Sequence, residues 1–350
     1  VKSRYYILLL AALCCCQPKA ELRLNDVRVI GSHNSYKLPI EKALRDLLSL
    51  QDSARMASLQ YGHLPLSEQL DLGLRNLEID LFHDPVGGRF ANPKGLEMLA
   101  ASGQQPLPYD EKNDLSKPGF KVFHVQDIDF RSHKLLFEEV LKELKYWSDQ
   151  NPDHFPVFIT LEAKDKAIEG LTPPLKFAES ALDSIDLVLN QYMGTDKLIT
   201  PDWVRGEKTT LEDKILQDGW PLLRECKGRF LFILDDAKEK RALYIKNYPG
   251  LSGRVMFTNS PAGTSEAAFM IINDPKKEQE RIKRLVKKGY MIRTRADAGT
   301  REARTGDYSK FEAALSSMAH VITTDYYQPS QLFESTYSVR FKEGGFVRHF

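Results

Sequence analysis

Eight short apolar runs, separated by amphipathic stretches, constrain this chain's fold more than any other feature. They occupy residues 27–30, 76–82, 121–123, 157–161, 230–234, 255–257, 290–292 and 321–324. A strand buried on both faces reads as a continuous run of Val, Ile, Leu and Phe, and helices must cover both faces of its sheet. Eight such strands with helices between them predict a single-domain (β/α)8 TIM barrel over residues 21–350. The clearest intervening helix carries Leu135, Leu136, Phe137, Val140, Leu141, Leu144 and Trp147; others are expected over 174–192, 277–288 and 308–318. An open, doubly wound sheet is the competing architecture, but no glycine-rich phosphate loop follows the first run.

Composition narrows the function classes. Of 350 residues, 42% are hydrophobic and 28% charged, enough for a sizeable core and too apolar for disorder. Lys and Arg number 49 against 48 Asp and Glu, a net charge of +1, so no basic field points to nucleic acid. Lys2 and Arg4 precede an apolar run over 5–13 that is too short to span a bilayer and reads as an export signal within residues 1–20. Cys14-Cys15-Cys16 resembles a bacterial lipoprotein signal, although Leu13 is bulkier than the usual preceding residue; ordinary cleavage near Ala20 is the alternative. Either way the expected place is outside a bacterial cytoplasm: secreted, periplasmic or lipid-anchored. Cys226 is then the one cysteine of the body, and a buried, inert thiol is expected there.

In a barrel, function collects where the strands end. The first run ends in Gly31-Ser32-His33-Asn34-Ser35-Tyr36, and the second carries Glu78 and Asp80, two apart and therefore on one face. The third ends at His124; the fourth ends in Glu162, Ala163 and Lys164. Asn34, Glu78, Asp80 and Glu162 offer only oxygen, the donor set of a hard cation such as Ca²⁺. Three carboxylates in one pocket repel each other unless a cation joins them. His33 and His124 suit a reaction in which one proton is removed and another delivered. The connection 84–119 is expected to overhang this face, and 195–225, with Trp203 and Trp220, to be packing helix or an interfacial rim. His63, His133, His154, His320 and His349 have no convergent partner in the pattern, and His83 is expected to bond within the rim. The basic stretch 276–288 reads as a solvated helix face.

The motifs carry a resemblance. Ser32-His33-Asn34-Ser35-Tyr36, Leu77-Glu78-Ile79-Asp80, Val122-Phe123-His124 and the segment 156–162 resemble, in order and spacing, four motifs of calcium-dependent phosphoinositide phospholipases C. The likeness continues to Thr323-Thr324-Asp325-Tyr326-Tyr327 and is greatest to the single-domain bacterial secreted branch. It implies a barrel enzyme, a phosphoric diester hydrolase or lyase acting on a membrane inositol phospholipid, with Ca²⁺ on Asn34, Glu78, Asp80 and Glu162. It implies Glu78, or another carboxylate near the metal, as the base for the inositol 2-hydroxyl. His33 would donate to the phosphoryl oxygen and His124 to the departing diacylglycerol oxygen. Lys164, Asp235, Arg293, Arg295 and Tyr326 are the expected substrate contacts, and the chain is expected to act as a monomer at the membrane surface. The fifth run ends in Asp235-Asp236, where the eukaryotic enzymes carry lysines for ring phosphates, so a headgroup without ring phosphates is expected. Surface pairing of Arg293 and Arg295 with Asp297 or Glu302 is the alternative for those arginines. A glycerophosphodiester phosphodiesterase is the second reading, but that family shows His-Arg-Gly and His-Asp where this chain has His33-Asn34-Ser35 and His124-Val125. A non-catalytic lipid- or glycan-binding lipoprotein is the third; a glycosidase using Glu78 and Glu162 leaves both histidines unexplained.

Overall fold

The computed structural model describes residues 21–350. The export signal and Cys14–Cys16 lie outside the described residues. Ten strands occur among them: β1 Val27–Ser32, β2 Asn76–Asp84, β3 Gly119–Lys121, β4 Val157–Ala163, β5 Phe230–Leu234, β6 Phe257–Thr258, β7 Phe269–Ile271, β8 Met291–Arg295, β9 Val321–Thr324 and β10 Val347–His349. They form two five-stranded sheets, ordered β10-β1-β9-β8-β7 and β3-β2-β4-β5-β6. All the pairings are parallel except β10 on β1 and β3 on β2. β1 and β5 are buried along their whole length, as strands covered on both faces must be.

The fold is therefore α/β, with two mixed sheets in place of one continuous eight-stranded ladder. The sheets meet at two seams. Arg75 donates its main-chain N–H to the Ile30 carbonyl at 3.1 Å, and Asn259 bridges Phe269 in parallel fashion. Gly31 permits the first contact, since a Cβ there would stand 2.2 Å from the Asn76 carbonyl oxygen.

The expected third strand, 121–123, is corrected. Its neighbourhood forms β3, which pairs antiparallel with the end of β2, Lys121 opposite Phe82 and Gly119 opposite Asp84. The strands missing from the expectation are β7 and β10. The long connection over 84–119 is thus the loop of a hairpin and contains a helix, Lys94–Ala101.

The expected helices form as Phe137–Gln150, Glu179–Met193, Pro275–Lys288 and Ser309–Ser316. The first turns Phe137, Val140, Leu141, Leu144 and Trp147 into the core, the stripe expected of an amphipathic helix on a sheet. Segment 195–225 precedes β5 and so lies by the N-terminal strand ends; Trp220 is fully buried there as core. Cys226 is buried too, and burial pushes its thiol up to about 12. No helix among the described residues is long and apolar enough to cross a membrane.

Candidate active site

β2 and β4 lie in parallel register, Asp80 opposite Glu162 and Glu78 opposite Thr160. Partners in such a ladder point to the same face, and residues two apart on one strand share it. Glu78, Asp80 and Glu162 consequently converge, each offering an oxygen within 4.8 Å of the others. Asp80 is fully buried and neither of its carboxylate oxygens makes a hydrogen bond. Lys164, an expected substrate contact, is the counter-ion of this cluster, its Nζ 3.3 Å from Asp80 and 3.2 Å from Glu162. Burial pushes the Asp80 carboxyl well above the usual range, Lys164 opposes this, and Glu162 and Glu78 add to it.

The loop after β1 folds onto β2. Ser35 donates its N–H to the Glu78 carbonyl at 2.9 Å and accepts the Glu78 N–H on its hydroxyl at 2.8 Å. Asn34 turns the chain in the left-handed region, at φ 49, which asparagine tolerates better than most residues. Its side-chain amide donates to the Tyr61 hydroxyl at 2.7 Å, and its Oδ1 accepts from the Tyr36 hydroxyl at 3.4 Å. An all-oxygen cluster whose buried Asp80 has only the Lys164 ion pair fits a calcium ion held by Glu78, Asp80 and Glu162, with the Asn34 amide oxygen the further expected ligand.

His33 stands beside this cluster, its Nε2 3.5 Å from Glu78 Oε1 and its Nδ1 2.7 Å from Asp325 Oδ1. Burial, then the Arg295 guanidinium, holds its pKa well below the ordinary imidazole value. Its main-chain carbonyl is 2.7 Å from His63 Nε2. His124 is carried on the loop following β3, with Nδ1 2.8 Å from Asp129 Oδ2. Tyr61 lies between the imidazoles, its ring centroid 6.1 Å from that of His33 and 6.4 Å from that of His124.

The arginines are not surface pairs of Asp297 or Glu302. Arg293 is buried, ion-pairs with Glu78 and with Asp235 (3.3 Å), and donates to Asn273 Oδ1 at 3.1 Å. Arg295 reaches His33 Nδ1 at 3.1 Å and Asp325 at 3.7 Å. Burial raises Asp235 to about 8; Arg293 opposes that and Glu78 reinforces it. Tyr326 packs its ring on Phe333 and Tyr337, and its hydroxyl is buried without a partner.

Asp325, Asp129, Lys37, Tyr61 and His63 belong to the site without having been singled out from sequence. His63 does have a convergent partner, contrary to expectation, but that partner is a main-chain carbonyl, which no side-chain pattern registers. Asp325 lies in the 323–327 segment, next to Tyr326.

Residues 22–349 match the model of a family described as Ca²⁺-dependent phosphoinositide phospholipase C. No match is found among curated proteins. Among solved structures, the chain resembles a calcium-dependent phosphoinositol-specific phospholipase C from Pseudomonas sp, described as a myoinositol complex. The TM-score is 0.56 at 16% identity, covering 94% of this chain and 96% of that one. A Ca²⁺-dependent phosphatidylinositol-specific enzyme from Streptomyces antibioticus gives a TM-score of 0.54 at 14% identity, covering 89% and 97%. At these identities the structural likeness concerns the fold.

Proposed function

Because the chain belongs to the calcium-dependent phosphoinositide phospholipase C family, we propose that it cleaves a phosphatidylinositol-like lipid by attack of the inositol 2-hydroxyl on phosphorus. The products are diacylglycerol and a cyclic inositol phosphate. The observation that carries this reading is the meeting of Glu78, Asp80 and Glu162 within 4.8 Å, with His33 3.5 Å from Glu78. In this reading the two sheets are halves of one (β/α)8 barrel, adjoining at β1–β2 and β6–β7.

Glu78, Asp80 and Glu162 would hold the calcium ion, which would supply a Lewis acid to acidify the 2-hydroxyl and offset charge on phosphorus. Asp325 can only accept when ionised, so it takes the Nδ1–H of His33 and leaves the Nε2 lone pair on the Glu78 side. A neutral His33 is then fitted to remove the hydroxyl proton, in place of the donor role first expected. Glu78, already bonded to Arg293, is the weaker base. His124 donates Nδ1–H to Asp129 and turns Nε2 to the site, where in its protonated form it delivers a proton to the diacylglycerol oxygen. Asp235, held 3.3 Å from Arg293 and pushed up by burial, is suited to bond ring hydroxyls. The membrane substrate, the export signal and action as a monomer belong to the same proposal.

Phosphorus NMR of phosphatidylinositol vesicles, with calcium and with a chelator, tests it. A cyclic phosphodiester signal that disappears in chelator is expected. Undiminished turnover in chelator, or release of glycerol phosphate from glycerophosphocholine in its place, overturns it.

A further inference from the structure

We infer that Lys37 is a positioning residue that aims the imidazole of His124 through Asp129, an assignment that rests on the phosphodiester reading above and extends it. Lys37 is wholly buried, and a buried ammonium persists only where it is paired and hydrogen-bonded. Its Nζ lies 3.1 Å from Asp129 Oδ1 and donates to the carbonyls of Tyr61 at 3.0 Å and Leu59 at 3.2 Å. The other oxygen of Asp129 is the one that meets His124 Nδ1 at 2.8 Å. Ammonium, carboxylate and imidazole therefore stand in file. The side chains of Lys37 and Asp129 are 0% exposed, and that of His124, at 17%, is the member that reaches the cleft.

Lys37 also braces the metal side. Its N–H donates to the Asn34 carbonyl at 3.0 Å, and Nζ lies 4.7 Å from the centre of the Tyr61 ring, whose hydroxyl accepts from Asn34. Burial alone would raise Asp129, but Lys37 and His124 outweigh it and hold this carboxyl below its ordinary range. An ionised Asp129 fixes the tautomer of His124, with the proton on Nδ1 and Nε2 free for exchange with the leaving oxygen. Without the ammonium, that carboxylate is buried with one partner, and the imidazole loses the anchor that sets its direction. The His33 side is built differently: Arg295 comes within 3.1 Å of the imidazole itself and 3.7 Å of Asp325, so no such file forms there.

The experiment compares two substrates on full-length wild type, Lys37→Met and Asp129→Asn. One is phosphatidylinositol, whose diacylglycerol oxygen must be protonated as it departs. The other is a nitrophenyl inositol phosphodiester, whose leaving group departs without a proton. For both variants, kcat on the lipid is expected to fall by about 10²-fold or more with KM little changed, and on the aryl ester by less than about tenfold. In a His124→Ala background, Lys37→Met is expected to add no further loss on the lipid. The ratio between substrates does not depend on how much of a variant folds. Equal losses on both substrates, or full additivity with His124→Ala, overturn the assignment. A wild type that cleaves neither substrate overturns the phosphodiester reading itself.

Discussion

Asp325 is buried and holds His33 Nδ1 at 2.7 Å, so asparagine there keeps the shape while removing the charge and reversing the tautomer preference. Asp325→Asn is expected to lower kcat on phosphatidylinositol by about 10²-fold or more with little change in KM, measured by steady-state kinetics. An unchanged kcat would separate Asp325 from the reaction. Asp325 was hard to see in sequence for a physical reason. Alternation assigns faces only while the strand continues, and β9 ends at Thr324. One residue further, nothing in the pattern tells whether Asp325 or its neighbour Tyr326 turns inward. Glu78 and Asp80 were legible because they sit inside β2, where the two-residue period holds. The role of Lys164 was not, because ion pairing across β2 and β4 depends on register, which a single chain does not display.

At the scale of elements, most apolar runs were readable. β1, β2, β4, β5, β8 and β9 follow them and the 255–257 run leads into β6, whereas β7 and β10, three residues each, are too short for a pattern to separate from a packed loop. The hairpin of β2 and β3 explains why His124 reaches the site although the strand expected to carry it does not form. Antiparallel pairing turns the chain back along β2, from Asp84 toward Asp80, and delivers the following loop to the cleft. The helix Phe137–Gln150 bears a different expectation. Its Ser148 hydroxyl meets His154 Nε2 at 2.9 Å, while His154 Nδ1 donates to the Phe155 carbonyl at 2.6 Å. Burial lowers His154 from 6.5 to about 4. The unfolded chain therefore takes up this proton first as pH falls, so the stability contributed by the neutral imidazole is full above about 6.5 and is lost progressively down to about 4. Denaturant unfolding at pH 7 and pH 4 is expected to show His154→Gln losing less stability than wild type across that interval, by up to about 3 kcal/mol. Equal losses would show that His154 does not titrate with folding.

Across the whole molecule, the class of fold was legible, since strands apolar on both faces require helices on both sides of a parallel sheet. How the strands divide between two sheets was not, because the seams at β1–β2 and β6–β7 rest on a few hydrogen bonds that leave no trace in hydrophobicity. Those seams bring the β2–β4 carboxylates of one sheet against His33 and Arg293 of the other. The full constellation of carboxylates, His33 and Arg293 therefore exists only when both sheets are assembled, and the proposed function puts calcium at its carboxylates. A calorimetric titration of calcium into the full chain, wild type beside Asp80→Asn, puts this to the test. One site per chain is expected, weakened about tenfold or more by the substitution. Equal calcium affinity in the two proteins, or no binding to wild type, would contradict the account.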